Sequence, residues 1–145
     1  MAKKRRQGND GASKRGGAAP AGNPMLIQVG PDFYDEAALA EALVIDGAPA
    51  EVAMVRRLRE EGRLVALGTA DQQWIHPTWQ VRDGALLPGL DAVLAAFAGQ
   101  PAWSVALWLT TAHDDLDGAT PAQALADGIA SVAELAAATA HRWAN

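Results

Sequence analysis

The run "AWSVALWL" (residues 102–109) limits the possible folds more than any other stretch of this chain. At 100° per residue, Trp103, Ala106 and Leu107 share one helical face, Val105 and Leu109 share another, and Trp108 points between them. A helix that is apolar all round has to be covered all round. One small core can hardly surround it, so either neighbouring helices wrap this segment or part of it packs against another chain. Trp103 and Trp108 are therefore candidates both for the core and for interface anchors. The chain has 145 residues, 50% of them hydrophobic, which is room for one ordinary domain or two very small ones.

The net charge of −5 is unevenly spread. Residues 1–24 carry Lys3, Lys4, Arg5, Arg6, Lys14 and Arg15 against Asp10, whereas the rest of the chain carries six arginines against sixteen acids. The basic start is rich in Gly and Ala and lacks large apolar side chains, so it is expected to form a disordered tail. Such a tail is either a solubilising leader or a sequence-independent phosphate-binding arm. Cysteine is absent, which rules out a disulfide framework, a zinc–thiolate site and a thiol nucleophile. The basic residues precede no apolar run of the secretory kind, and no apolar segment is long enough to cross a bilayer. These features predict a soluble, cytoplasmic protein with no membrane partner.

From Met25 the sequence reads as ordered elements. "YDEAALAEALVI" predicts a helix with Asp35 and Glu36 at its positive end. "DGAP" predicts a turn, and "PAEVAMVRRLREEG" a second helix opened by Pro49 and ended by Gly62. "RLVAL" and "QQWIHP" predict two strands around "GTAD". "TWQVRDGALLPG" bridges to the helices "LDAVLAAFA" and "AWSVALWLTT", then "PAQALADG" and a last helix near "SVAELAAATAHRWA". The expected fold is mainly α with one small β-hairpin. A winged-helix-like region at 25–82 follows the tail at 1–24, and a small helical domain occupies 83–145.

On the second helix, Met54, Val55 and Leu58 fall on one side, while Arg56, Arg59 and Arg63 cluster about 130° away. With Arg57 these make a candidate DNA-binding set, since a basic helix beside a hairpin is the layout of a winged helix-turn-helix. The bland alternative is a solvated face balanced by Glu60 and Glu61.

Signals for catalysis or metal binding are weak. His76, His113 and His141 lie far apart and in no metal-ligand spacing. "AHDDLDG" can be aligned with a calcium loop only by placing His113 at the first ligand position and Ala124 at the twelfth, where a bidentate glutamate is needed. Thr120 as a helix cap, Pro121 in the first turn and Gly118 in the preceding bend explain the stretch better. No serine sits in a nucleophile elbow. The expectation is a protein that is not an enzyme and has neither metal nor cofactor.

The run with Trp108, Leu109, Leu116, Gly118, Thr120 and Pro121, spanning about residues 60–138, resembles the C-terminal toxin-binding domain of Xre/MbcA/ParS-type antitoxins. The "EGRLVAL" segment with its hairpin looks more like the wing of MerR- or excisionase-type readers. The first resemblance implies an antitoxin that covers the active site of a RES-type, NAD-consuming toxin as a homodimer or hetero-oligomer and can repress its own operator. It makes 83–145 the toxin-binding domain, with Trp103, Trp108, Arg142 and Trp143 as contact candidates. The alternative expectation is a stand-alone winged-helix transcriptional regulator.

Overall fold

The structure, a computed structural model, describes residues 32–144. The expected basic tail therefore lies outside the described residues, together with the first part of the next region. Strand β1 (Phe33–Tyr34) leads into helix α1 (Glu36–Ala42), capped by Asp35, whose carboxylate accepts from the Ala38 N–H at 2.8 Å. A hairpin of β2 (Val44–Ile45) and β3 (Ala48–Pro49) follows, then helix α2 (Val52–Glu60). Strands β4 (Leu67–Gly68) and β5 (Trp74–Pro77) form the next hairpin. A 3-10 turn (Thr78–Gln80) and a third hairpin, β6 (Val81–Arg82) with β7 (Ala85–Leu86), lead to α3 (Leu90–Ala96), α4 (Ala102–Leu109), α5 (Pro121–Ala126) and α6 (Ser131–Ala144). No helix among the described residues is long and apolar enough to cross a membrane.

Helices joined by small antiparallel sheets are thus the architecture, with more strand than the sequence suggested. Two hairpins were missed. Asp46-Gly47 and Asp83-Gly84 both have positive φ at both residues (54° and 81°; 54° and 82°), the left-handed pair of a tight two-residue hairpin turn. The first of these ends α1 at Ala42, so Val44 and Ile45 leave the helix, and it places Pro49 in a strand, so α2 begins at Val52. The end of α2 is as expected. Gly62 (φ 71°) sends its N–H to the Arg59 carbonyl at 3.1 Å, and Arg63 sends its own to Leu58 at 2.8 Å, the paired bonds of a glycine-terminated helix.

β1, β5 and β4 form one three-stranded sheet with β5 in the middle, pairing Tyr34 with His76 and Leu67 with Ile75. The extended run 64–67 divides the interior. Leu64 and Ala66 join one core with Leu39, Leu43, Val55 and Leu58 from α1 and α2. Val65 and Leu67 join another with Phe33, Ile75 and the helices α3–α6. The alternation is that of a strand buried on both faces. At Val65 no strand among the described residues runs alongside, and the Gln80 side chain bonds it instead. Gln80 Oε1 accepts from the Val65 N–H at 2.7 Å, and its Nε2 donates to the Val65 carbonyl at 2.8 Å and to Pro77 at 3.1 Å. Gln80→Leu removes the side-chain partner of three backbone groups, the Val65 N–H and the Val65 and Pro77 carbonyls, and should cost about 2–4 kcal/mol in chemical denaturation; a loss below about 0.5 kcal/mol would mean the site rearranges freely.

His76 is fully buried, and its Nδ1 lies 3.0 Å from the Tyr34 carbonyl, which can only accept, so Nδ1 carries the proton and Nε2 is bare. Burial, assisted by the nearby Arg59 charge, holds the imidazole below its ordinary value. The unfolded chain therefore takes up this proton more readily than the folded one, and stability present above about pH 6.5 declines as pH falls toward the lowered value. Asn at this position retains a donor for Tyr34 but does not titrate. The fall in unfolding midpoint between pH 6.5 and 5 should flatten in His76→Asn; an unchanged slope would assign the effect to other groups.

Candidate nucleic-acid interface

Helix α2 packs Val55 and Leu58 into the smaller core, with Met54 half-buried beside them. Its opposite side presents Ala53, Arg56, Arg57 and Glu60 to solvent, one helical stripe at spacings of three and four. The four candidate arginines do not act alike. Arg56 and Arg59 converge on Glu36 in the first turn of α1: Arg56 Nη2 lies 3.2 Å from Oε1, and Arg59 Nη1 lies 2.7 Å from Oε2. The hydrogen bonds from Arg56 and then Arg59 hold the Glu36 carboxyl below its ordinary range. Arg56 remains largely in solvent (side chain 59% exposed), whereas Arg59 is mostly covered (16%).

The Arg59 guanidinium also sits 4.9 Å from the Trp74 ring centroid, over the indole of β5. That contact is worth about 0.5–1 kcal/mol or more as water is excluded, and it ties α2 to the β4–β5 hairpin. Arg63 lies past the helix end, 3.5 Å from Glu61, with both side chains half-exposed, so the pair contributes little. Arg57 is exposed and makes no ion pair among the described residues. The stripe thus resolves into Arg57 and Arg56 facing outward, Arg59 acting as an internal strut, and Arg63 off the helix. Sequence reasoning missed Glu36 as the partner, because it lies 20 and 23 residues from the arginines it binds. It also missed Trp74, whose only signal was a large aromatic at the exposed start of a predicted strand.

The second group of candidates is dispersed. Trp108 is a core residue, 6% exposed, packed edge-to-face on Phe97 with centroids 5.0 Å apart. Trp103 is half-buried, and its indole N–H donates to the Gly68 carbonyl at 3.3 Å, joining α4 to the hairpin. Trp143 is 40% exposed and lies on Phe97 from the other helix, with centroids 4.9 Å apart. Arg142 is exposed and donates to Thr139 Oγ1 at 3.2 Å. Only Trp143 and Arg142 present much surface to a partner.

The acidic stretch is an elbow. Asp114–Leu116 form a 3-10 turn, and Asp117 and Gly118 take left-handed backbone (φ 56° and 84°). Thr120 Oγ1 accepts from the Gln123 N–H at 3.1 Å while Gln123 Oε1 accepts from the Thr120 N–H at 2.9 Å, a reciprocal cap with Pro121 in the first turn. Each residue carrying the antitoxin resemblance therefore has a local folding role: Trp108 and Leu109 in the core, Leu116 packed against it, and Gly118, Thr120 and Pro121 shaping the bend.

No family model matches the chain, and no curated protein matches it. Among solved structures it is similar to the one described as the NMR structure of Rv2175c, with 27% sequence identity and a TM-score of 0.63. That likeness covers 94% of this chain and 99% of the other, so it takes in both the sheet-bearing and the helical part.

The two outer tryptophans of the Phe97 stack differ in what their removal should cost. Trp108→Ala should lose about 3–5 kcal/mol of stability, while Trp143→Ala, half in solvent already, should lose about 1 kcal/mol. Equal losses in thermal or denaturant unfolding would contradict the burial described.

Proposed function

We propose that the chain binds double-stranded DNA through α2 and the β4–β5 hairpin and serves as a transcriptional regulator of the winged-helix kind. The observation that supports the reading is the succession β1–α1–β2–β3–α2–β4–β5, with the outer face of α2 left to Ala53, Arg56, Arg57 and Glu60. The second helix of such a pair is the element that enters a major groove. Ala53 allows close approach, and the two guanidiniums suit phosphate oxygens or the O6/N7 edge of guanine. Arg59 contributes by holding α2 against Glu36 and Trp74 rather than by reaching a base. Because residues 25–145 carry six arginines against sixteen acids, attraction by that part of the chain is confined to this face and falls steeply with salt.

The test is fluorescence anisotropy of the full chain on labelled duplex DNA across a salt series. Arg57→Ala should weaken binding and lower the slope of log K against log salt by about one. It leaves the N-terminal basic residues in place, so a slope unchanged by Arg57→Ala would assign any binding to those residues and overturn the role given to α2.

A second reading, an antitoxin holding a RES-type NAD-consuming toxin, is favoured by the exposed Trp143 beside Arg142 on the last turn of α6. A tryptophan and an arginine on one exposed helical turn are the anchor types of a protein interface. It ranks second because the residues of its motif are accounted for by folding. Purification of tagged protein from its host after nuclease treatment distinguishes the two: a stoichiometric small enzyme supports the antitoxin, and bait without such a partner removes it.

A further inference from the structure

We propose that the cleft between the end of α2, the β4–β5 hairpin and the α3–α4 connection binds a small planar aromatic carboxylate. The cleft measures about 270 Å³ and is lined by apolar side chains, Leu64, Leu94, Phe97 and Val105 among them, with Trp74 at its edge. The volume suits a one- or two-ring molecule and falls at the small end of ligand pockets. The lining contains one charged side chain, Arg59, and no acid.

Arg59 selects the charge of the occupant. A guanidinium has five N–H donors. One Arg59 nitrogen, Nη1, bonds Glu36, and its other nitrogens make no hydrogen bond among the described residues. Arg56 and Arg59 share that one carboxylate, so the three groups together carry one positive charge, and the Arg59 side chain is only 16% exposed. A second carboxylate there completes the pairing in a setting where water screens little. The body of the ligand then lies on the apolar floor, with Trp74, 44% exposed, offering its indole for ring contact. A cationic segment, such as the basic residues 1–24, is repelled by the same arginine. A nucleoside phosphate brings more negative charge than one guanidinium can meet and more volume than the cleft holds.

The experiment is an NMR titration of the isotope-labelled full chain with indole-3-carboxylate, and in parallel with its neutral analogue indole-3-carboxamide. Saturable shifts are expected at the Gly62, Gly99 and Gln100 amides and at the Trp74 indole N–H, with the carboxylate about tenfold tighter than the amide. Arg59→Met should erase that preference. Ala102→Phe, at an exposed lining position, should block both probes without touching the core. The proposal is overturned by the absence of saturation at millimolar probe, by equal affinity for the two probes, or by shifts that persist in Ala102→Phe. None of these readouts involves DNA, so the ligand site and the DNA reading fail separately.

Discussion

A peptide segment buried on both faces must find hydrogen-bond partners in its own plane: Leu67 finds them in strand β5, and Val65 in one side chain. Leu64 and Ala66 point into one core, Val65 and Leu67 into the other, which leaves the Val65 N–H and C=O deep in the molecule. Each would cost about 1–3 kcal/mol if left unmet. The primary amide of Gln80 offers an acceptor and a donor side by side, as a neighbouring peptide would, where no strand among the described residues pairs with Val65. The Gln80 backbone is committed as well, its carbonyl receiving the Leu87 N–H at 2.9 Å. The 3-10 turn, the third hairpin and the start of α3 are thereby fixed against the strand that separates the cores. Leu86, on that hairpin, packs against both.

The same economy governs charge. A net negative protein would be expected to show a weak basic face, and α2 carries Glu60 among its outward residues. What distinguishes this face is the division of labour imposed by Glu36. One carboxylate at the start of α1 takes two guanidiniums, turning Arg59 inward onto Trp74 and leaving Arg56 tethered but in water. The apolar contacts of Leu39, Leu43, Val55 and Leu58 already set the packing of the two helices, and the ionic pairs add to it. A two-armed ionic clasp fixes the rotation of α2 against α1, and with it the direction in which Arg57 points.

Much of this was legible in the sequence, for identifiable reasons. Gly62 as the end of α2, Thr120 with Pro121 as the start of α5, and the hairpin around residues 69–73 were all read from local chemistry, where the deciding interaction spans three or four residues. The two Asp-Gly turns are equally local: "DGAP" reads as a turn, but between two helices, since Val44–Ile45 extend the first helical run, and Asp83-Gly84 falls in a segment that reads as a bridge. The role of Gln80 was out of reach: a buried glutamine 15 residues from Val65 looks in sequence like any polar residue of a bridging segment. The arginine stripe was visible as a stripe, but helical angles treat its members alike. Only the positions of Glu36 and Trp74 separate a strut from an exposed cation.

Arg59 is where these strands of argument meet, and the electrostatics fix the sign of their coupling. Arg56 and Arg59 share the Glu36 carboxylate, and on the DNA reading the charge left over is what the outer face of α2 would offer to a phosphate backbone. A carboxylate seated in the cleft on Arg59 cancels that surplus from behind the helix, within a screening length of Arg56. On the DNA reading, ligand and duplex then oppose each other, and linkage requires the duplex to weaken the ligand by the same factor. The size of the effect is bounded by one unit charge acting across a partly wet path, about 1 kcal/mol or less. That is enough to shift occupancy several-fold and too little to act as an absolute switch. On those two readings together the response would be graded, because the clasp that orients α2 is also the wall of the cleft.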